Sequence, residues 1–594
     1  MFKSKYQKGS ANRKRCCKAH AIYRPGGSKV LFSSRAGSLL AAMALLGQLF
    51  SCGPAATKDT EGDAIPFYWD NANIYFLLTD RFHNGDPSND VNFERNDETA
   101  VLRGFEGGDI RGIIEKMEQG YFQKLGINAL WITPFFEQNH GPTDESTGMT
   151  YGYHGYWIKD WTSLDPNFGT PEDLGKLVEL AHRQGIRIVM DVVMNHTGPV
   201  TEADPVWPVE GVRTEPGCTY TSYETTVSCT LVENLPDIRT EADDAVELPA
   251  LLLAKWENEG RLEQELEELD AFFERTGYPR APRFYIIKWL TDYIRKYGID
   301  GYRLDTAKHI EEQVWSELLR EARLAFEAWK RQYPEKRMDD NDFYMVGEVY
   351  GYGISSGREF SFGDRSVDFF DQGIHSLINF EFKHHAREDY ETLFSLYSDR
   401  LQQELDGVGI LNYISSHDDG DPYDRQRENP VEALTKLLLT PGSVQLYYGD
   451  ETCRPLEVAG ANGDANLRSK MNWEELESNL SRNGYSVSSV LEHAQKLGQF
   501  RRAHPAVGAG VHRMITSSPY VFSRTMERGV FSDRVVVALD LEPGLQEIEV
   551  GDLFRDGTLL LDYYSGTEAV VKNGVVKLRT MHTIALLGLS KSQR

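Results

Sequence analysis

The chain has 594 residues, more than a typical single domain, which predicts two or three domains. Its formal net charge is −26, and residues 1–51 contribute ten positive charges and no acid, which leaves −36 on the remainder. A surface this acidic repels nucleic acid and argues against nucleic acid as a partner.

The N-terminal segment has the pattern of an export signal. Basic residues as far as Arg35 precede a short apolar run over 38–50, which is too short to remain as a membrane-spanning helix. We expect a signal peptide over 1–51 and a tether over 52–66. The signal is either an ordinary secretory one or that of a lipoprotein, because Leu49-Phe50-Ser51-Cys52 resembles a bacterial lipobox with Cys52 as the lipidated residue. The expected location is the periplasm, or a membrane to which this lipid anchors the protein, with the cell surface as one alternative.

Eight strand-like runs alternate with amphipathic helical stretches such as Asp173–Gln184 and Gln313–Gln332. Strictly alternating strands and helices predict a (β/α)8 barrel. The predicted strands are Asn73–Phe82, Ala129–Phe135, Ile186–Asn195, Gly301–Thr306, Phe343–Val349, Ser376–Phe382, Leu411–His417 and Val444–Gly449.

About a hundred residues separate the third and fourth predicted strands, far more than a connection in such a barrel needs. We therefore predict an inserted domain over 197–283, which divides the barrel into 67–196 and 284–505. A helical run is expected over Ala250–Thr276. Cys218 and Cys229 flank a Thr/Ser/Tyr-rich loop and are predicted to form a disulfide in an oxidising compartment, which leaves Cys453 as a free thiol.

After residue 505 the pattern changes to short alternating runs separated by turn residues. The runs Tyr520–Arg524, Arg534–Leu539, Leu559–Tyr564 and Thr583–Leu587 predict an antiparallel β-sandwich domain over 506–594. The expected architecture is thus a barrel with one insertion and one C-terminal β domain, and we expect a monomer.

Acidic and basic side chains follow four of the barrel strands. Asp305 ends one strand, Glu348 the next and Asp418 a third, while Asn195 and His196 follow an earlier one. Because the C-terminal ends of barrel strands meet at one face, these groups are expected at one site. Two carboxyl groups at one site are what hydrolysis of a glycosidic bond requires. In this order the segments resemble the α-amylase clan, glycoside hydrolase family 13.

The resemblance implies a role for each matching residue. Asp305 would be the nucleophile, Glu348 the general acid and base, and Asp418 the stabiliser of the transition state. Arg303 is expected to keep Asp305 ionised, since both lie on one strand two residues apart. The residues expected to contact substrate are Tyr156, His196, Arg303, Lys308, His417, Asp464 and Arg468.

Two groups of oxygen-bearing residues suit calcium, which prefers several oxygen ligands. Asn195, Asp237 and His309, the last through its carbonyl, match a family site that joins the insertion to the barrel. The second group resembles a site in cyclodextrin-forming relatives, although a plain turn cluster would also explain its loop. It comprises Asn84, Asp86, Asn89, Asp90, Gly107 and Asp109. No zinc-type Cys/His spacing is present.

Within the clan, the strongest resemblance is to exported α-amylases of Gram-negative bacteria. The phrases that carry it include Leu235-Pro236-Asp237-Ile238-Arg239-Thr240-Glu241 and Ser469-Lys470-Met471-Asn472-Trp473. The resemblance implies endo-acting hydrolysis of α-1,4 bonds in starch or maltodextrin. A glucanotransferase of the same clan is the alternative, and Glu233 at the position where those enzymes carry an aromatic residue favours hydrolysis. A non-catalytic glucan-binding lipoprotein is disfavoured because all three acids are present.

Overall fold

The computed structural model describes residues 65–590 and Gln593. The predicted signal peptide, the lipidation candidate Cys52 and the tether as far as residue 64 lie outside the described residues. In the part that is described, no helix is both long and apolar enough to cross a membrane.

Eight parallel strands close into a barrel, in which each strand pairs with its neighbours in the sequence and the last pairs with the first. The predicted (β/α)8 barrel is confirmed. Its strands are β1 (Asn73–Leu77), β2 (Ala129–Ile132), β3 (Arg187–Val192), β4 (Gly301–Leu304), β5 (Tyr344–Gly347), β6 (Ser376–Asn379), β7 (Gly409–Tyr413) and β8 (Ser443–Tyr447).

Each of the eight predicted strands extended past the true C-terminal end, by two to five residues. The residues that follow β1, for example, form a helical turn over Thr79–Phe82. These residues are buried because loops cover the C-terminal face of the barrel, and burial alone does not distinguish a strand from a buried loop.

Helices surround the barrel, and four of them begin at a side-chain cap. Asp109 accepts a hydrogen bond from Gly112 N at the start of the first, and Thr170 and Asp173 form a capping box before the second. The helices are α1 (Ile110–Glu118), α2 (Pro171–Arg183), α3 (Ala250–Asn258), α4 (Leu262–Thr276), α5 (Pro282–Tyr297), α6 (Glu312–Gln332), α7 (Tyr390–Gln403), α8 (Pro430–Leu439) and α9 (Val487–Ala503).

The long connection between β3 and β4 is held to the barrel near its beginning. A short antiparallel pair, Val212–Arg213 with Asp237–Ile238, is joined to the end of β3 by a hydrogen bond from Ile238 N to Asn195 O. The helical run predicted as one piece is two helices, α3 and α4, because Gly260 adopts a left-handed φ of 72° between them. The predicted domain boundaries stay predictions.

The predicted disulfide between Cys218 and Cys229 is present, with Cα atoms 5.0 Å apart. The loop that it closes contains a helical turn, Glu224–Val227. Cys453 is free and buried, and burial raises the pKa of its thiol to about 11.

The C-terminal domain is antiparallel, as predicted, and its strands form one continuous order, β9-β10-β11-β16-β13-β14-β15-β12. Four of the eight strands were missed because many of their side chains are charged or exposed. The strands are β9 (Val511–Ser517), β10 (Tyr520–Arg528), β11 (Phe531–Leu539), β12 (Gly544–Glu549), β13 (Leu559–Asp562), β14 (Glu568–Lys572), β15 (Val575–Thr580) and β16 (Ala585–Gly588).

Strands β10 and β11 contribute to two hydrophobic cores. Val521 and Ala538 pack inside the C-terminal domain, whereas Phe522 and Val537 pack against the barrel. Alternate residues of a strand point to opposite faces, so one strand pair serves both cores. Polar contacts also cross the boundary between the C-terminal domain and the barrel. Within the C-terminal domain, Arg524 Nε donates to His512 Nδ1 at 2.9 Å. His512 Nε2 lies 2.9 Å from Glu391 Oε2 of α7.

Candidate active site

A cavity of about 590 Å³ opens at the C-terminal ends of the barrel strands. The structure brings the predicted catalytic and substrate-contacting residues together here. Eight of them line the cavity directly, and Arg303 and His417 lie behind them in contact with the acids. The eight are Asp305, Glu348, Asp418, Tyr156, His196, Lys308, Asp464 and Arg468.

Backbone hydrogen bonds extend the barrel ladder by one residue and thereby position two of the acids. Asp305 N donates to Val192 O of β3, and Glu348 N donates to Leu304 O of β4, each at 3.0 Å. The two carboxyl groups are therefore carried by rigid, adjacent strand ends rather than by free loops.

Arg303 is the electrostatic centre of the site. It is fully buried, and its Nη1 lies 2.8 Å from Asp191 Oδ1 and 2.7 Å from Asp305 Oδ1. Its Nη2 lies 2.9 Å from Glu348 Oε2. One guanidinium thus faces three carboxyl groups in a desolvated place.

A single positive charge cannot neutralise three buried carboxylates. Burial raises the pKa of both Asp305 and Glu348, and Arg303 opposes the rise in each case. The expectation that Arg303 alone keeps Asp305 ionised is therefore incomplete, since Glu348 and Asp191 compete for the same guanidinium. Asp418 raises the pKa of Glu348 further.

Asp418 is in the opposite electrostatic situation. Burial disfavours its charge, but His417 and Arg468 outweigh burial and hold the pKa of Asp418 well below its usual range. His417 Nε2 lies 2.8 Å from Asp418 Oδ2, and Arg468 forms an ion pair with the other carboxylate oxygen. Asp418 is thus a permanent anion. Arg468 Nη1 also lies 2.7 Å from Asp464 Oδ2, which joins the two predicted substrate residues.

Tyr156 provides an aromatic surface at the floor of the cavity. Its hydroxyl donates to Asp191 Oδ2 at 2.8 Å, and its ring stacks on His417 with centroids 5.3 Å apart. His196 Nε2 lies 3.2 Å from the carbonyl oxygen of Tyr156, and burial lowers the pKa of His196 to about 4. His196 is therefore neutral, and its buried Nδ1 has no hydrogen-bond partner among the described residues.

Several functional residues were not predicted. Asp191 accepts hydrogen bonds from Arg303, Tyr156 and Trp131, and a carboxylate inside the apolar strand β3 was the available signal. Glu145 also lines the cavity and pairs with Arg103 at 2.5 Å, while Arg103 pairs with Asp464 at 2.7 Å. No motif marks these two residues.

Two residues of the first predicted calcium group, Asn195 and Asp237, lie next to each other at the base of the insertion. An isolated β-bridge pairs His196 with Asp237 and so brings Asn195 beside Asp237. His309 Nδ1 lies 2.9 Å from the carbonyl oxygen of Thr226. Asp237 is buried, and burial raises the pKa of its carboxyl to about 7. Within the described residues it forms no ion pair at salt-bridge distance. Arg213 and hydrogen bonds from Leu231 N and Asn195 only partly offset the burial of this carboxyl group, which fits a cation.

The second predicted calcium group divides into two parts. Asp109 accepts hydrogen bonds from Gly85 N, Asp86 N and Asn89 Nδ2 and so organises the loop, and Asp86 pairs with Arg111 at 2.5 Å. The ligand-type oxygens lie elsewhere. The side-chain oxygens of Asn84 and Asn89 are buried with no hydrogen-bond partner among the described residues.

Asp90 lies beside these amides, since its Oδ1 accepts from Asn84 Nδ2 at 2.8 Å. A Cβ on Gly107, whose φ is +88°, would lie 2.5 Å from Asn84 Nδ2 and 2.8 Å from Asp90 Oδ1. Asn84, Asn89 and Asp90 therefore fit a cation, and Gly107 leaves the space they need. Side-chain geometry alone does not form a complete metal cage, because no group of three or more His, Cys, Asp or Glu gathers within 65–590.

Comparisons with known proteins agree with the fold. The alpha-amylase catalytic-domain model matches residues 76–206. The chain is 36% identical over 553 residues to the periplasmic alpha-amylase of Escherichia coli strain K12, covering 82% of this chain and 75% of that protein. It is 26% identical to a cyclomaltodextrin glucanotransferase of Thermoanaerobacterium thermosulfurigenes, covering 77% of this chain and 58% of that enzyme. An Anoxybacillus alpha-amylase structure aligns with a TM-score of 0.59 and 22% identity, over 88% of this chain and 99% of that one.

A closed barrel with paired acids at its C-terminal face defines a glycoside hydrolase. The chain belongs to the α-amylase family, as the 36% identity over most of both chains shows. The predicted membership of glycoside hydrolase family 13 is confirmed.

Proposed function

We propose that the protein is an endo-acting α-amylase that hydrolyses α-1,4-glucosidic bonds of starch and maltodextrins with retention of configuration. The observation that carries the proposal is the contact of one buried guanidinium, Arg303, with both Asp305 and Glu348. Retaining glycosidases hold their two carboxyl groups about 5–5.5 Å apart, and two nitrogens of one guanidinium keep these groups close. The E. coli relative, a periplasmic alpha-amylase, supports the same substrate class.

The proposed mechanism requires the pair to hold one proton, on Glu348, while the Asp305 carboxylate is ionised beside Arg303. The Asp305 carboxylate attacks the anomeric carbon while Glu348 gives its proton to the departing glycosidic oxygen, and a glycosyl ester forms. Glu348, now a carboxylate, takes a proton from water, which cleaves the ester and restores both acids. Asp418 stays ionised and stabilises positive charge on the sugar ring in the transition state. Tyr156 offers an aromatic face to the apolar side of that ring.

The alternative is a glucanotransferase, which uses the same intermediate but resolves it with a sugar hydroxyl. Glu233, at the position where cyclodextrin-forming relatives carry an aromatic residue, is exposed and lies outside the lining of the active-site cavity. A non-catalytic glucan-binding lipoprotein has no need of a proton donor beside an Arg-held carboxylate.

Chromatography of the products from starch, maltoheptaose and pullulan tests the proposal. We expect linear maltodextrins of several lengths at early times from starch, because an endo-acting enzyme cuts internal bonds. Cyclic products, or products longer than the maltoheptaose supplied, would identify a transferase. Absence of any product from all three substrates would remove the catalytic proposal.

We propose calcium as the cofactor, held by Asn195, Asp237 and the His309 carbonyl, with a second ion at Asn84, Asn89 and Asp90. The support is the buried unpaired carboxyl group at the first place and the two buried amide oxygens without partners at the second. Calcium would supply a positive charge that joins the insertion to the strand ends.

Chelation is expected to lower the melting temperature and the activity together, and added calcium to restore both. An ion at a hundredfold excess over its Kd contributes about 2.7 kcal/mol to the free energy of unfolding. Differential scanning calorimetry of native protein and of Asp237→Ala, with and without calcium, measures this, and the variant should lose most of the response. Asp406→Ala, at an exposed aspartate outside both groups, is the control. An unchanged melting curve after exhaustive chelation would contradict the proposal.

We propose that the protein is exported, and that Cys52 is acylated and anchors it to a membrane. The basic segment, the apolar run and Leu49-Phe50-Ser51-Cys52 support this, and several acyl chains on one residue give lasting attachment where one chain is marginal. Labelled fatty acid should be incorporated by the native protein but not by Cys52→Ala. Recovery of unlabelled native protein entirely in the soluble fraction would leave an ordinary secretory signal.

A further inference from the structure

A cavity of about 1270 Å³ opens at the N-terminal end of the barrel, opposite the face that carries the active site. It lies beside the starts of β2 and β3 and the C-terminal end of α9. Residues 65–68, the first that the structure describes, form part of its wall. The predicted tether, which lies outside the described residues, therefore joins the folded chain at this cavity.

The charge of this cavity is opposite in sign to that of the molecule. Five cationic side chains and three carboxylates line it, which leaves an excess of two positive charges, whereas the chain after residue 51 carries −36. A local positive region on an acidic protein attracts anions. The cations are Arg183, Arg187, Lys336, Arg337 and Arg502, and the carboxylates are Glu179, Glu335 and Asp339.

Two of the guanidinium groups meet at one turn. Arg187 Nη1 donates to Gly185 O at 3.3 Å, and Arg502 Nη2 donates to Gln184 O at 3.0 Å. Arg187 also pairs with Asp339, but Arg502 forms no ion pair at salt-bridge distance with any residue that the structure describes. Burial and the neighbouring charge of Arg187 lower the pKa of Arg502. An anion beside both groups would offset this repulsion.

The other three cations are exposed at the edge of the cavity. Glu179 is shared between Arg183 Nη1 at 2.6 Å and Lys336 Nζ at 3.9 Å, and Arg337 pairs with the exposed Asp340. Exposed ion pairs contribute little free energy, so these side chains can exchange their partners for an external anion.

We propose that this cavity binds phosphate groups of an anionic phospholipid surface, and that the bound enzyme presents its catalytic face away from the membrane. Arginine forms paired, charge-assisted hydrogen bonds with phosphate oxygens. The inference goes beyond the proposed glycosidase activity and takes the proposed export as its setting.

Two observations favour a membrane over a free phosphate. The cavity lies where the predicted tether of the proposed lipoprotein joins the barrel. In addition, Ile65, Pro66 and Phe67 are half-buried beside the cations, and the ring centroid of Phe67 lies 3.6 Å from Arg187 Cζ. Apolar and aromatic residues next to basic ones are typical of surfaces that lie on anionic membranes.

Vesicle sedimentation tests the inference with unacylated protein, which is the exported chain with Cys52→Ala behind an ordinary cleavable signal. Vesicles of equal parts phosphatidylglycerol and phosphatidylcholine should bind the protein, and vesicles of phosphatidylcholine alone should not. Binding should weaken as salt is added, because salt screens the attraction between exposed charges.

Arg502→Gln is expected to weaken vesicle binding about fivefold, the contribution of one cation near an anionic surface, and Lys336→Ala with Arg337→Ala about 25-fold. Lys572→Ala with Lys577→Ala removes the same charge from exposed positions of the C-terminal domain that do not line the cavity, and should leave binding unchanged. Melting curves establish that each variant is folded, and the exposed pair provides the test if Arg502→Gln is not.

Starch hydrolysis by the vesicle-bound enzyme should match that of the free enzyme, because the active site lies at the other end of the barrel. Equal binding to both kinds of vesicle, binding to neither, an equal loss in the control pair, or loss of hydrolysis on binding would overturn the inference. Stabilisation by inorganic phosphate through Arg502 without vesicle binding would assign the cavity to a soluble phosphate and overturn it too. A protein that binds the anionic vesicles through these residues but does not cleave starch would remove the glycosidase proposal and support this one.

Discussion

Replacing Asp305 by Asn is expected to abolish hydrolysis of starch, with a fall in kcat of at least about 10⁴-fold. An amide is too weak a nucleophile to form the glycosyl ester, so the first chemical step is lost. The change is nearly isosteric, and the side-chain oxygen still accepts a hydrogen bond from Arg303, which now lies 2.7 Å from Asp305 Oδ1. Folding and glucan binding should therefore persist.

Reducing-sugar assays on starch measure the loss, and calorimetry with maltoheptaose measures the retained binding. Asp364→Asn is the matched control. Asp364 lies in the turn of a nearby hairpin, Glu359–Ser361 with Ser366–Asp368, and is not among the residues that line the active-site cavity. Hydrolysis by the Asp305 variant within tenfold of the native rate would refute the mechanism. Loss of folding, seen as an altered melting curve, would instead show that Arg303 requires the charge.

Replacing Glu348 by Gln should reduce kcat on natural glucans by about 10²–10⁴-fold, the usual contribution of a general acid. Substrates with leaving groups that need no proton, such as α-maltosyl fluoride, should form the glycosyl ester at a rate much closer to the native one. A similar deficit on both kinds of substrate at the first step would exclude Glu348 as the proton donor.

The pH profile provides a further check on Glu348. As general acid the residue must be protonated, so activity on starch falls as pH rises through its pKa. Burial, with Asp418 nearby, raises that pKa, which moves the fall toward higher pH than an ordinary glutamate would allow. The Gln variant should lose this alkaline limb when ester formation is followed with the fluoride. Persistence of the same limb would assign it to another group.

The barrel and the position of the site could be predicted because the chemistry lies at strand ends. Asp305 and Glu348 each come directly after a buried apolar run, so strand recognition and site recognition were one step. Asp191 was missed for a physical reason, namely that it lies within its strand and acts through Arg303 and Tyr156 rather than by a motif.

Contacts between loops that are distant in the sequence could not be predicted from sequence patterns. Tyr220 lies near Lys308 only because the insertion folds back over the barrel. Glu145 pairs with Arg103 from the turn of a short hairpin, Thr143–Asp144 with Met149–Thr150. The missed C-terminal strands had a similar cause. In β14, for example, alternate residues are exposed, and the first and last residues are charged. Pairing with neighbouring strands, and not local hydrophobicity, therefore determines this strand.

The strand pair β10–β11 has a consequence for how the molecule melts and how it can be shortened. Because Phe522 and Val537 belong to the core that includes the barrel, that core is incomplete without the strand pair, whereas Val521 and Ala538 belong to a separate core inside the C-terminal domain. Deleting the chain after residue 505 would expose apolar barrel surface and remove Arg524 and His512 from Glu391. A minimal catalytic barrel is therefore not obtainable by simple truncation, and heat should unfold the barrel and the C-terminal domain in one cooperative transition.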